Sequence, residues 1–465
     1  MTKLQIQALG PALSRYLGAF ADCFAHPDTQ DHLQHYVQGQ LSNLPRKSVE
    51  PMAQWAEVPP RTLQEFLSLS EWDEERLRDR VEEIVVRDHA ETQGIIIVDE
   101  SGHPKRGNQT ACVHRDYCGA SGKVDNCVMS VHLCYTSFDG RFRTMIDSGL
   151  FLPKDGWNDP QRRRAAGIPE ALVYRPKYDI ALEQVRRALA NGLRPGWVIA
   201  DEWYGQKPAF IAGLEALDQR FVLEIPKNLM GWTRPPGDAD TPRGEVRNLC
   251  RWSKEMGRQE WVRFHIKDTG MGPMVWEVRA APFWMLREGA VVGPYWLLVA
   301  RDVLDPSTIK YFLSNAQAGV PLEVLLHVSF SRWPVERTLE DEKSELGLSH
   351  FEVRKYVAVL RHLRITQVSH LFLARQTQRL REKKSGSDDL PGPGCDQRTA
   401  GRPAAEPAGS IHPTDQSRTH YSRHPSRQRQ GQSVPRQDAP TATTHHGHSP
   451  RASSLLHSPA KRVAL

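Results

Sequence analysis

The pattern of hydrophobic and polar positions changes twice along the chain. Up to about residue 90, apolar residues recur at three- and four-residue steps, as in GPALSRYLGAFADCF, a spacing typical of amphipathic helices. From residue 95, short apolar runs such as GIIIVD and WVIAD alternate with helical segments, which predicts buried strands in a mixed α/β fold. After about residue 385 the periodicity ends. The chain therefore reads as a helical region, an α/β region and an unstructured tail.

Five regions follow from this pattern and from composition: a helical domain at 1–90, a first part of the α/β core at 91–227, a β-rich insertion at 228–320, the C-terminal helices of the core at 321–384, and a tail at 385–465. The tail is rich in Pro, Gly, Ser, His, Gln and Arg, so we predict that it is disordered. Its abrupt change of composition also suggests a frameshifted end.

Two short helices are predicted inside the helical domain, at about 47–56 and 61–69, with a turn at 57–60 between them. Their length and spacing are typical of a helix-turn-helix, in which Lys47 and Arg61 would contact DNA phosphates. Two packed helices of an ordinary bundle would show the same pattern, so both interpretations stay open.

Bulk charge does not by itself indicate DNA binding by the folded part. The net charge is +6, but the residues after 390 carry that whole excess, and the first 390 contain as many acidic as basic residues. A run of three arginines, Arg162–Arg164, is either a DNA contact or a solvated loop.

Several absences restrict the class of protein. We expect no membrane segment and no signal peptide, because no apolar run approaches the roughly 20 residues of a membrane helix. Seven scattered cysteines suit a reducing cytoplasm. The spacing of four of them is typical of buried free thiols rather than a zinc site, namely Cys112, Cys118, Cys127 and Cys134.

Three acidic residues are candidates for catalysis. Asp99 and Asp201 each end a predicted buried strand, where ligands bind in α/β sheets. Glu336 lies on a predicted helix with Arg332 and Lys343 on the same face. Taken singly, the aspartates could be helix caps and the charged helix could be a solvated surface. Together, three carboxylates can hold two Mg²⁺ ions, with Mn²⁺ able to substitute, while the two cations bind phosphates.

These residues also carry a family resemblance. The segment reads Ser329-x2-Arg332-x3-Glu336-x6-Lys343, and the blocks VDESGHPKRG, DYCGASGKV and ADEWYG precede it in order. In this respect the chain resembles the DDE-superfamily transposases of bacterial insertion sequences, over roughly residues 10–390. The family signature has tyrosine where this chain has Ser329, so the phosphate contact of that tyrosine is in doubt.

The resemblance implies an RNase H-like core with a β-rich insertion. It also implies metal-dependent strand cleavage at each transposon end, followed by in-line attack of the resulting 3′-hydroxyl on target DNA. The partners would be the terminal inverted repeats, target DNA and a second copy of the chain, in a nucleoid-associated complex. Lys105 and Arg106 would line the DNA path. A tryptophan of the insertion would hold a flipped base during hairpin formation, the candidates being Trp276, Trp284 and Trp296.

Two other functions remain open at this point. One is a non-catalytic DNA-binding remnant of a transposase, which Ser329 and the altered tail favour. The other is a different metal-dependent nuclease on the same core, which would cleave DNA without transferring a pre-cut end.

Overall fold

A computed structural model describes residues 9–237, 243–269 and 272–385, in which helices surround one large sheet. The predicted disorder and frameshift of the tail concern residues that lie outside this part, apart from Ser385, where the last helix ends. Within the described residues no helix is both long enough and apolar enough to cross a bilayer.

The described chain begins with helices. Its helices before the first strand are α1 (Leu9–Gly18), α2 (Pro27–Leu41), α3 (Val49–Trp55), α4 (Pro60–Ser68) and α5 (Glu74–Asp88). The predicted pair at 47–56 and 61–69 corresponds to α3 and α4. Pro60 begins α4, where the missing N–H of proline costs nothing. Asp73 caps α5 by accepting a hydrogen bond from the backbone N–H of Arg76.

Six strands form the first half of the sheet: β1 (Ile95–Pro104), β2 (His114–Cys118), β3 (Lys123–Thr136), β4 (Arg143–Leu150), β5 (Trp197–Ala200) and β6 (Phe221–Glu224). β3 is antiparallel to β1, β2 and β4, whereas β5 is parallel to both β1 and β6. The predicted turn at Asp139 and Gly140 joins β3 to β4, and Gly140 adopts a positive φ of 70° there. The mixed α/β class is therefore confirmed.

The helices between these strands are α6 (Pro160–Ala165), α7 (Lys177–Ala190), α8 (Glu202–Gly205) and α9 (Pro208–Ala216). α7 corresponds to the amphipathic segment predicted at 179–192. It ends just before Gly192, whose φ of 97° is readily adopted only by glycine.

The segment predicted as a β-rich insertion contains β7 (Met230–Trp232), β8 (Gly244–Glu245), α10 (Val246–Trp252), β9 (Val262–Thr269), β10 (Gly272–Arg287), β11 (Ala290–Asp302) and β12 (Ile309–Ser314). Its strands do not form a separate sheet. β12 pairs with β6, so the order β2-β3-β1-β5-β6-β12-β11-β10-β7-β8 is continuous through the described residues. Hydrogen bonding thus joins this segment directly to the core.

The chain closes with α11 (Leu322–Ser329), α12 (Trp333–Ser344) and α13 (Tyr356–Ser385). Alternating side chains of β1 bury apolar surface on both faces of the sheet. Ile95 and Ile97 belong to the cluster that includes side chains of α11 and α12. Ile96 and Val98 belong to the cluster that includes side chains of α7 and α9. Asp99 therefore continues the face that α12 covers.

One buried arginine ties α13 to the N-terminal helices. Arg361 donates hydrogen bonds to the carbonyl oxygens of Phe66, Leu67, Ser70 and Trp72 at 2.9–3.4 Å. It also forms an ion pair with Glu74. The helices before the sheet thus pack on the last helix of the described chain.

Candidate active site

Asp99 and Asp201 lie side by side because their strands are parallel neighbours. Val98 and Ala200 are the last pair in the β1–β5 register, so Asp99 and Asp201 follow this pair together. The prediction that Asp99 ends its strand was wrong, because β1 stays paired with β3 as far as Pro104, whereas Asp201 directly follows the last residue of β5. Burial raises the pKa of Asp99 to about 7; Arg332 lowers it, and the nearby charges of Asp201 and Glu100 raise it further. Burial also raises the pKa of Asp201. These two carboxyl groups therefore share a confined site of negative charge.

Asp201 also has a local structural role. Its Oδ1 accepts hydrogen bonds from the backbone N–H groups of Trp203 (3.0 Å) and Tyr204 (3.3 Å), so it caps α8. Asp201 is therefore a helix cap, which was one of the interpretations open from the sequence. The capping hydrogen bonds fix the direction of its carboxyl group. Gly205 allows α8 to lie against β6, because an added Cβ would be 2.0 Å from the carbonyl oxygen of Glu224.

Arg332 lies among the three acidic residues. Its Nη1 is 3.6 Å from Oδ2 of Asp99, and its Nη2 is bonded to Oε1 of Glu336. Burial disfavours the charged guanidinium, but the charges of Asp99 and Glu336 prevail and raise the pKa of Arg332. Arg332 also lowers the pKa of Asp201 through its charge. Asp99 and Glu336 therefore contact one guanidinium, whose charge also acts on Asp201.

An open depression of about 510 Å³ lies beside this group, lined by Asp99, Glu336 and Lys343 among others. Burial lowers the pKa of Lys343, while the charge of Asp99 raises it. The side chain of Glu336 is 48% exposed, whereas that of Asp99 is 15% exposed. A ligand entering from solvent would meet Glu336 and Lys343 before it reached Asp99.

The donor chemistry of the site suits a hard divalent cation. Carboxylate oxygens are the ligands that Mg²⁺ prefers, and the raised pKa values of Asp99 and Asp201 report buried negative charge that a cation would stabilise. Two further buried atoms, Oε2 of Glu100 and the hydroxyl of Tyr204, have no hydrogen-bond partner in the described part of the chain, but Glu100 and Tyr204 pack toward the other face of the sheet and are not counted as ligands. The residues fit the ion by type. As positioned, no three acidic, histidine or cysteine side chains of the described residues form a metal cage.

The neighbouring acidic residues occupy the positions expected from strand geometry. Glu100 points to the other face of the sheet, where it pairs with Lys177 of α7 at 3.0 Å. Glu202 is exposed at the start of α8. Neither is placed beside Glu336.

The residue at the family's tyrosine position is turned away from the depression. The hydroxyl of Ser329 is buried and donates to the carbonyl oxygen of Leu325 at 2.7 Å, inside α11. Phe330 packs against Trp276 and Phe312. Neither residue replaces the phosphate contact of the tyrosine in this conformation.

Two of the residues predicted to contact DNA are held by contacts within the protein. Lys105 is held by the carbonyl oxygens of Ser349 and Phe351, and its ammonium group lies 3.3 Å from the centre of the Phe351 ring. Burial lowers its pKa to about 7, so it is a weak candidate for binding phosphate. Lys47 is buried and donates to the carbonyl oxygen of Ser42. The sequence could not reveal these carbonyl partners, which the fold brings to the ammonium groups.

The other predicted cations are accessible. Arg106 is exposed, and Arg61 is exposed with an ion pair to Glu65 one turn along α4. In the arginine run, Arg162 donates to backbone carbonyls and stacks on Trp157, and Arg163 also donates to backbone carbonyls. Arg164 is left exposed. Two of the three arginines therefore help to hold α6 in place.

The tryptophan and cysteine candidates are placed as follows. Trp276 is buried in the core, whereas Trp284 and Trp296 are half-buried on β10 and β11. The cysteines predicted to be buried free thiols are all buried and free: Cys112, Cys118, Cys127 and Cys134.

A buried chain of hydrogen bonds behind Asp99 was not anticipated. It runs from His103 through Ser130 and His132 to Ser148, each step 2.7 Å long, and ends at Gln367 of α13. Burial lowers the pKa of His132 to about 3, so its ring is neutral. The sequence does show polar residues at inward-facing positions of β1, β3 and β4. Which of them hydrogen-bond to one another depends on how strands that are distant in the sequence pair.

Comparison with known proteins agrees with this geometry. A family model described as "DDE superfamily endonuclease" matches residues 19–267, more than half of the chain. A second, described as "Transposase DDE domain", matches residues 174–372. A protein of Microchaete diplosiphon named "Probable transposase for insertion sequence element IS701" is 27% identical over 321 residues, which are 68% of this chain and 75% of that protein.

A solved structure, the NurA nuclease from Sulfolobus solfataricus, aligns over 65% of this chain and 88% of its own. Its sequence identity is 11% and its TM-score is 0.26, which is too low to support an argument about fold or function.

Two acidic residues that follow the last pair of adjacent parallel strands, faced by an acidic helix, define a candidate nuclease-type site. The chain belongs to the DDE superfamily of endonucleases. The resemblance to insertion-sequence transposases of that superfamily is confirmed.

Proposed function

We propose that this protein is a transposase that performs metal-dependent DNA strand cleavage and strand transfer at the ends of an insertion sequence, with Asp99, Asp201 and Glu336 as its catalytic residues. The observation that carries the proposal is that Arg332 contacts both Asp99 and Glu336, while its charge also lowers the pKa of Asp201. Carboxyl groups from separate elements that lie near one cation support a site for divalent metal ions.

The fold we propose for the catalytic part is an RNase H-like core with the β-rich segment between Asp201 and Glu336. Its support is the order of the strands. β4, β3 and β1 are antiparallel neighbours, and β5 and β6 follow as parallel strands. Asp99 lies within β1 where its pairing with β5 ends, Asp201 directly follows β5, and the glutamate stands on a helix that covers the same face as Asp99.

Mg²⁺, most simply two ions with Mn²⁺ as a substitute, would be held by these carboxylates and would stabilise charge on the phosphate and on the attacking oxygen. The protein side chains have defined tasks. Asp201, fixed by its capping bonds, and Asp99 provide buried oxygens, and Glu336 provides a more exposed one. Arg332 and Lys343 bind phosphates that flank the scissile bond.

The proposed partners are the terminal inverted repeats and target DNA, bound by a homodimer associated with the nucleoid. Arg61 and Arg106 remain candidate DNA contacts because both are exposed. Arg61 lies on the second helix of the α3–α4 pair, the part of a helix-turn-helix that contacts DNA.

A cleavage assay tests the proposal. The full chain is incubated with Mg²⁺ and a labelled duplex that carries the terminal repeat of its own element. Asp201→Asn keeps an oxygen that can cap α8 but removes the charge, so cleavage should fall below about a hundredth of the wild-type rate. Glu202→Gln, an exposed neighbour, is the matched control and should retain activity.

Cleavage that persists in Asp201→Asn would refute the site. Wild-type binding of the repeat without cleavage would instead favour a non-catalytic remnant. Cleavage without transfer of a pre-cut 3′ end would identify a nuclease rather than a transposase.

A further inference from the structure

A second concentration of positive charge lies in a cleft between α1, α5 and α13. Four arginines line it, Arg15, Arg87, Arg375 and Arg379, above a floor that includes Tyr16 and Phe372. We call this group the arginine cleft. Its arginines come from widely separated parts of the chain, so only the packing of α13 against the first helices creates it.

The charge of the arginine cleft is poorly neutralised. Asp88 is a shared partner, 2.6 Å from Arg87 and 2.8 Å from Arg375. Within the described residues no ion pair involves Arg15 or Arg379. Four guanidinium groups thus face one carboxylate across a concave surface. Such an arrangement concentrates positive potential and favours an anion.

The cleft is rigid where it is lined by aromatic rings. The Tyr16 hydroxyl donates to the carbonyl oxygen of Val368 at 2.8 Å, and its ring lies 5.5 Å from that of Phe372. The Arg375 guanidinium stands 5.8 Å from the centre of the Tyr16 ring, and its side chain is only 18% exposed. A pre-positioned guanidinium loses little side-chain entropy when it binds an anion.

The size of the cleft limits what that anion can be. Its volume is about 190 Å³. Pockets for small organic ligands usually measure about 300–1,000 Å³, so a complete nucleotide is a poor fit. A phosphate group that projects from a larger molecule suits the space and the forked geometry of arginine.

Contacts link the arginine cleft to the catalytic helix. His89, next to Asp88, stacks on Phe142 with 3.9 Å between ring centres. The adjacent Arg143 pairs with Asp341 of α12 at 3.0 Å and lies near the ring of Trp333. The arginine cleft and the catalytic helix are thus joined through packed side chains.

We propose that the arginine cleft binds backbone phosphates of the DNA at a place separate from the active site. The proposal rests on the proposed function only in taking DNA as the ligand. It adds a sequence-independent contact, since phosphates carry no base identity.

The test measures DNA binding by the full chain in EDTA, so that cleavage plays no part. Arg15→Gln/Arg379→Gln removes the two cleft arginines without an ion pair and leaves Asp88 with its partners. Anisotropy of a labelled duplex of arbitrary sequence is followed between about 50 and 200 mM salt. Each lost phosphate contact should reduce the slope of log K against log salt by about 0.9, so the double variant should lose about 1.8.

Two controls make the result specific. Arg186→Gln/Arg194→Gln removes the same charge from exposed positions at α7 and should leave the slope nearly unchanged. Arg15→Lys/Arg379→Lys keeps both charges and should keep most of the slope. Near-wild-type melting temperatures would show that the variants fold.

An unchanged slope in the double Gln variant, with wild-type protein binding DNA, would refute the arginine cleft and leave the proposed function intact. Loss of self-association with normal DNA binding would refute it as well, by assigning the cleft to a second copy of the chain. No DNA binding by wild-type protein under any salt condition would contradict the proposed function itself.

Discussion

Glu342 is a buried carboxyl group that should make the stability of this protein fall as pH rises. It lies on α12 with no exposed surface, and neither carboxyl oxygen has a hydrogen-bond partner within the described residues. Burial raises its pKa from 4.5 to about 8, with the charge of Lys343 opposing this shift and that of Asp341 adding to it. The folded protein therefore holds this side chain in its neutral form at neutral pH.

The direction and size of this change in the free energy of unfolding follow from the linkage between protonation and folding. Because the folded pKa is the higher one, the stabilisation is fully present below pH 4.5 and is lost as pH rises to about 8. Each pKa unit corresponds to about 1.36 kcal/mol, so the full change is on the order of 5 kcal/mol. With an unfolding entropy of about 2.1 cal/mol/K per residue over roughly 380 residues, this equals about 6 °C in melting temperature.

Glu342→Gln removes the titration and keeps the shape of the side chain. We expect its melting temperature to exceed that of wild type by about 6 °C near pH 8.5 and to differ little near pH 5. Calorimetry of the full chain at both pH values measures this. Glu340→Gln is the control, because that side chain is 65% exposed on the same helix. Equal shifts of Glu342→Gln at both pH values would refute the reasoning.

Two further changes test the charge network and the packing of α13. Arg332→Gln removes the guanidinium that lies between Asp99 and Glu336 and competes there with a metal ion. We therefore expect Mn²⁺ to bind the DNA-free protein about tenfold more tightly, as measured by a spin-resonance titration. Weaker Mn²⁺ binding would contradict this competition. Arg361→Met leaves buried carbonyl groups and Glu74 without their partner and should lower the free energy of unfolding by about 3–5 kcal/mol in urea; a loss below about 1 kcal/mol would show that this contact is dispensable. Arg337→Gln, on the exposed side of α12, is the control for both.

The elements of the candidate active site could be predicted because their signals are local. The β-branched run before Asp99 and the apolar run before Asp201 specify buried strands. The local signal did not show that β1 continues past Asp99 to Pro104, because that extension depends on pairing with β3. The four-residue spacing of Arg332 and Glu336 specifies their shared helix face, and the structure joins them in an ion pair. Periods of two and 3.6 residues need no knowledge of the rest of the chain.

The role of individual cations could not be predicted in the same way. Lys105 and Arg106 are neighbours in the sequence, yet one is held by carbonyl groups at Ser349 and Phe351 and the other is exposed. Amino-acid composition does not reveal this difference, because the partners of Lys105 lie more than 240 residues away in the sequence.

The sequence by itself determined that buried strands lead into Asp99 and Asp201 and that a helix carries Glu336, since backbone geometry translates hydrophobic spacing directly into faces. Only the tertiary structure decided that β12 joins β6 and that Arg332 stands between the acidic residues. It also decided that Arg15 and Arg379 meet across one cleft. The reason is physical: burial and charge pairing are set by which distant segments pack together, and that choice minimises the exposed apolar area of the whole chain rather than of any one segment.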